Sequence, residues 1–166
     1  MLFGKYRLLV FAAFILVLSG CAQQPYVAPN SGAVAALTIV NRTTMQAFFR
    51  TFDDEDCTRG PASGLIGVLQ SGFQLYDNKP LKQTSIRADH PFVFSVDAHT
   101  YGAVKISCGL TGVFTPEAGA SYEMEYIARA ARCNVELRKT TTPSGEPRRE
   151  TVAIRRLAKS CHKFGD

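Results

Sequence analysis

Tryptophan is absent from the 166 residues, methionine and histidine occur three times each, and charged residues make up 20%. A spanning helix needs roughly twenty consecutive apolar residues. The longest apolar run, residues 8–18, has eleven, which excludes a stable transmembrane anchor of that kind. No segment carries the extended 3.6-residue periodicity of a long helix, and no repeat is visible, which excludes bundles, coiled coils and solenoids. The nucleophile elbow GxSxG and the phosphate-binding loop GxxxxGK[ST] are both missing, which removes the usual signatures of a serine hydrolase or a nucleotide-binding enzyme. The close CxxC and HxxxH pairs of zinc sites are missing too, so no metal site and no cofactor are expected.

What is present suits one globular domain. Hydrophobic residues make up 46% of the chain, with eleven Phe and six Tyr to fill a core. That composition is neither disordered nor collagen-like. The formal net charge of +5 is modest for a nucleic-acid binder. The basic tail holds only Phe164 as a stacking aromatic, so nucleic acid is not an expected partner.

The first twenty residues have a basic start (Lys5, Arg7), the apolar run and then small residues, the order of an export signal. Leu18, Ser19, Gly20 and Cys21 resemble the lipobox of bacterial lipoprotein precursors. The resemblance implies removal of residues 1–20, a diacylglycerol (palmitate-type) thioether on Cys21, and acylation of its amino group. Two or more acyl chains give lasting attachment where one does not. By the same resemblance, Ala22 after the lipidated cysteine implies delivery to the outer membrane, facing the periplasm. Residues 21–33 read as a flexible tether rich in Pro, Gln and small side chains, and residues 34–166 as the folded domain.

Four cysteines remain: Cys57, Cys108, Cys133 and Cys161. An even number in an exported domain reads as two disulfides. Three pairings are possible. Cys57 with Cys108 and Cys133 with Cys161 is the expected one, because the second bridge would tie the tail to a strand.

Period-two alternation recurs at Phe92–Phe94–Val96, Val104–Ile106–Cys108, Tyr122–Met124–Tyr126 and Cys133–Val135–Leu137. Short apolar runs at 34–40, 46–52, 64–69 and 82–87 read as further strands. Turns are expected at 77–80, at 116–119 (Pro, Glu, Ala, Gly) and at 140–147. The segment after 149 alternates at Val152 and Ile154, yet Ile154, Leu157 and Cys161 also sit at helical spacing, so a strand leading into an irregular or one-turn helical tail is expected. The expected fold is an all-β antiparallel sandwich of seven to nine strands, immunoglobulin-like or transthyretin-like. Residues 86–137, with PFVFSV, Cys108, FTPEAGASYEMEY and Cys133, are similar to small β-sandwich domains of uncharacterised proteobacterial lipoproteins, which implies the fold and no chemistry.

Three features invite a chemical reading. His90, His99 and His162 lack partners at metal-ligand spacing and read as turn or surface residues. Asp53, Asp54, Glu55 and Asp56 fail the helix-loop-helix calcium template, whose sixth and twelfth positions fall on Thr58 and Gly64. They read as a solvated turn beside Cys57. Glu123 and Glu125 share one strand face, not the two sides of a cleft that a glycosidase uses. The chain is therefore expected not to be an enzyme.

Charge is uneven along the chain. Residues 21–128 hold 7 basic and 10 acidic side chains, and residues 129–166 hold 10 basic and 4 acidic. Arg148, Arg149, Arg155 and Arg156 are candidates for a basic surface facing anionic lipid or an acidic partner. A solvated, aggregation-resistant edge is the bland alternative. These readings imply a membrane-anchored, non-enzymatic interaction or scaffolding module of the cell envelope, with an envelope protein or peptidoglycan as partner. The alternatives are a periplasmic inhibitor of a wall-degrading enzyme and a small-ligand or ion-binding sandwich.

Overall fold

Alternating apolar and polar residues can bury one face of a strand, and two such faces make a core. In the computed structural model, which describes residues 24–61, 63–69, 83–100, 107–129, 132–142 and 144–161, this produces two five-stranded sheets and no helix among the described residues. In chain order the strands are β1 (Val34–Asn41), β2 (Gln46–Phe52), β3 (Gly64–Leu69), β4 (Thr84–Arg87), β5 (Phe92–His99), β6 (Ser107–Phe114), β7 (Ser121–Arg129), β8 (Arg132–Thr141), β9 (Pro147–Val152) and β10 (Arg155–Arg156). The first sheet has the order β10-β6-β5-β2-β3 and the second β4-β1-β7-β8-β9. Pairing is antiparallel except between β1 and β7, which run parallel from Ala36 opposite Ser121 to Asn41 opposite Tyr126. The expected β-sandwich is the observed fold, with one named strand more than the upper expectation because the two-residue β10 closes an edge.

The core follows the alternation. Phe92, Phe94, Val96 and Ala98 of β5 face Tyr122, Met124 and Tyr126 of β7, with Leu37 and Ile39 of β1 beside the β7 residues in the same sheet. Rings of Phe92, Phe94, Phe114 and Tyr122 pack at 5.4–6.4 Å between centroids, a geometry worth more than area burial alone. The turn at 116–119 forms as expected. Gly119 takes φ 74°, and the Tyr122 hydroxyl accepts a hydrogen bond from the Glu117 amide at 2.9 Å.

A smaller apolar cluster lies on the outer face of the first sheet. Phe52, Val93 and Val113 form one cross-strand row, covered by Leu157 and by Cys57 and Cys161. The tail that covers it is extended. Ile154 inserts against Gly112, where a Cβ would lie 2.7 Å from its Cγ2, while Leu157 turns to the outer cluster. The helical spacing of Ile154, Leu157 and Cys161 is therefore not used as a helix; the chain crosses from one sheet to the other between β9 and β10, and these residues land on different sides of the first sheet.

The strand expected over Val104–Cys108 is described from Ser107 onward, and that expected from Lys82 is a strand from Thr84, with residue 83 outside it. The signal segment, Cys21, the turn at 77–80, residues 101–106 and His162 lie outside the described residues.

Candidate functional site

Both disulfides form, but not in the expected pairing. Cys57 bonds Cys161 and Cys108 bonds Cys133, with Cα separations of 5.1 and 5.9 Å. The reason lies in strand direction. Cys108 opens β6 and Cys133 opens β8, so both sit at one end of the sandwich. Cys57 follows the end of β2 and lies at the opposite end, together with the tail. A Cys57–Cys108 bridge would have to span the length of a strand, far beyond the ~7 Å between Cα atoms that a disulfide tolerates.

The end of the sandwich bearing Cys57 holds the chemistry. The acidic run Asp53–Asp56 is exposed and forms one wall of a cleft of about 460 Å³, lined also by Tyr26, Phe52, Arg87, His90 and Phe92. Its carboxylates are engaged by the protein. Asp54 Oδ1 accepts the Thr58 amide at 3.0 Å, and that bond chiefly holds its carboxyl below the usual range. Glu55 pairs with Arg155, and Lys159 Nζ donates to the Asp56 carbonyl at 2.9 Å. The acidic turn and the basic tail therefore fold onto each other around the Cys57–Cys161 bridge. Among the described residues no group of three His, Cys, Asp or Glu side chains is placed to hold a metal ion.

This placement divides the four candidate arginines. Arg155 is paired with Glu55, Arg148 Nε meets Glu150 at 2.9 Å, and Arg156 donates to Asn134 Oδ1 at 2.5 Å. Arg149 is exposed on β9 beside them. They lie along the β9–β10 crossover as a hydrated edge with acidic partners interleaved, not as a uniform basic patch. Lys139, buried on β8, is held by Glu117 at 2.5 Å.

His90 is exposed just before β5, as expected of a turn residue. His99 is different: it ends β5 rather than sitting in a turn, and its ring lies 5.0 Å from that of Phe48. Glu123 and Glu125 do share the outer face of β7. Glu125 bridges Arg42 at 2.7 Å and Arg138 at 3.1 Å, and Arg138 also reaches Glu136 at 2.8 Å. The Arg42 hydrogen bond is the main cause that holds the Glu125 carboxyl below its ordinary range.

Two features escaped the sequence reading. One is the buried Arg50–Asp97 pair on the outer face of the first sheet, 3.1 Å apart, where Gly109 leaves the space that the Asp97 carboxylate fills. Alternation concealed it, because β5 is buried on both faces. The other is the stretch read as a tether. Residues 24–26 pair with the edge of β3: the Leu65 amide donates to Gln24 O and the Tyr26 amide to Leu65 O, each at 2.9 Å. The Tyr26 hydroxyl donates to Ser85 O of β4 at 3.0 Å. Burial pushes its phenol above the ordinary value, opposed by nearby Arg87. The only signal was a lone tyrosine between prolines and small residues.

Neither a protein-family model nor a curated sequence is similar to the chain.

Proposed function

We propose that the chain is a lipoprotein, anchored through Cys21 in the outer membrane and facing the periplasm. Its β-sandwich would serve as a non-enzymatic interaction module of the cell envelope. The observation that carries this reading is the sequence Leu18-Ser19-Gly20-Cys21 behind a basic and apolar leader. The two disulfides support it, because such bridges persist in oxidising compartments and are rare in the cytosol. An anchor raises the local concentration of its domain at the bilayer, which suits a module that binds an envelope protein or peptidoglycan.

The test is fractionation with in vivo cross-linking of the tagged protein beside its Cys21→Ala form. The expected result is a membrane-bound wild type that captures a defined envelope partner, both lost in the variant. A soluble, unlipidated wild type would overturn the anchor. Membrane association with no captured protein would move the assignment to a second reading favoured by the 460 Å³ cleft, a small-ligand-binding sandwich.

A further inference from the structure

We infer that the domain stands end-on at the bilayer, with the end carrying the acidic turn Asp53–Asp56, His90 and the cleft turned toward the lipid headgroups. The inference rests on the anchor proposed above and deepens it. Its structural basis is the docking of residues 24–26.

If residues 21–33 were a free tether, the anchor would leave the domain's orientation undetermined. They are not free. Pro25 pairs with Leu65 in parallel with β3, so Gln24 is the end of the docked segment nearer the start of β3. That start, Gly64, follows the loop 53–63 directly and lies at the cleft end of the sandwich. The contact is close: a Cβ on Gly64 would lie 2.6 Å from the Tyr26 nitrogen and 2.8 Å from the Pro25 carbonyl carbon. Tyr26 then crosses to Ser85, so the strap ties the edge strand of one sheet to the edge strand of the other. Only Ala22 and Gln23 separate Cys21 from this docked segment. Three residue steps reach at most roughly 10 Å, which leaves no length for the domain to turn its opposite end to the membrane.

The charges at this end permit the approach. Glu55 with Arg155, Asp56 with Lys159, Glu117 with Lys139 and Glu150 with Arg148 pair off locally. Asp53, Asp54, Asp89 and Glu146 share this end with Arg59, Arg87 and Arg149. The surface has no dominant sign, so the short leash sets the orientation and the anionic lipid content of the bilayer does not. The face left for a protein partner is the opposite end, where the β1–β2 turn presents Thr44, and the outer face of the second sheet.

The test uses the full-length, membrane-extracted protein reconstituted in phosphatidylethanolamine–phosphatidylglycerol vesicles that carry headgroup spin-labelled lipid. A fluorophore is placed on His90→Cys at the near end or on Thr44→Cys at the far end, roughly 26 Å away along β1. The expected result is strong quenching at position 90 and none at position 44, unchanged when phosphatidylcholine replaces phosphatidylglycerol. A second form carries about ten Gly and Ser residues inserted between Cys21 and Gln24, adding roughly 17 Å of flexible reach; the difference between the two positions should then disappear. Equal quenching at both positions with the native leash, or a difference that survives the insertion, overturns the orientation while leaving the anchor intact. An unlipidated mass and recovery in the soluble fraction overturn the anchor itself, and the orientation with it.

Discussion

Replacing Gly64 with alanine isolates the contribution of the docked strap. The new methyl would lie 2.6 Å from the Tyr26 nitrogen and 2.7 Å from its Cα. Both are backbone atoms, so no side chain can rotate away, and residues 24–26 must lift off β3. Three hydrogen bonds are lost with them: Leu65 N to Gln24 O, Tyr26 N to Leu65 O, and Tyr26 Oη to Ser85 O. At about 1 kcal/mol net for each bond, and with the ordering cost of about 1–2 kcal/mol per residue returned in part, the global loss comes to about 1–3 kcal/mol. The local change is larger in proportion. The Leu65 amide should lose its hydrogen-exchange protection, while the amides of the central β5 keep theirs. The Tyr26 phenol, held up by burial, should return to its ordinary value, readable in a spectroscopic alkaline titration. If Leu65 stays protected in the variant and Tyr26 still titrates high, the strap is not seated on Gly64. The short-leash argument would fail with it.

The two disulfides should differ in their contributions. In the chain-entropy account, closing the 104-residue separation of Cys57–Cys161 is worth about 4.7 kcal/mol and the 25-residue separation of Cys108–Cys133 about 3.5 kcal/mol. Urea melts of the two double Cys→Ser variants should show that order, and a reversed order would count against it. Tyr126 governs the alkaline limit: burial, aided by Asp97, pushes its phenol up to about 12. The neutral form is favoured in the folded state, so this contribution is complete below pH 10 and is lost as pH rises through about 12. Tyr126→Phe should remove that step in alkaline melts. At neutral pH it should cost about 1–2 kcal/mol, because the Cys108 carbonyl loses a donor now 3.1 Å away. Millimolar-range calcium should leave the melting temperature unchanged, since Glu55 is paired with Arg155 and Asp54 caps Thr58; a calcium-dependent rise would refute this.

Where one strand face met solvent, the sequence was readable. Tyr122–Met124–Tyr126 against Glu123–Glu125, and Cys133–Val135–Leu137 against Asn134–Glu136–Arg138, became β7 and β8 with the expected faces. Legibility failed where a strand was covered twice. In β5, Val93 lies under the tail and Asp97 under Arg50, so neither the outer cluster nor the buried pair leaves a periodic trace. The disulfide pairing depended on which ends of which strands coincide, and four cysteines in a row do not encode that. The strap was illegible for another reason: three backbone-directed hydrogen bonds need no side-chain pattern beyond one tyrosine and a glycine forty residues away.

These terminal segments also bear on how an interaction module of this shape can bind. A sandwich offers sheet edges as templates for an added strand, the usual route to β-augmentation. Here the described edges are partly occupied or carry charge and proline. The start of β3 is taken by residues 24–26 at Leu65, and Ser85 of β4 accepts the Tyr26 hydroxyl. β9 opens with Pro147 and presents Arg148, Arg149 and Glu150 to solvent, the charges and proline that discourage edge pairing. β10 is two residues long and pinned by Arg156 to Asn134. Strand addition is therefore disfavoured at Leu65 of β3 and along β9 and β10. The outer face of the second sheet, where Arg42 just after β1 joins Glu125 of β7 and Arg138 and Glu136 of β8 in a connected polar ladder, remains open to a partner even when the opposite side of the fold is sealed by its own tail.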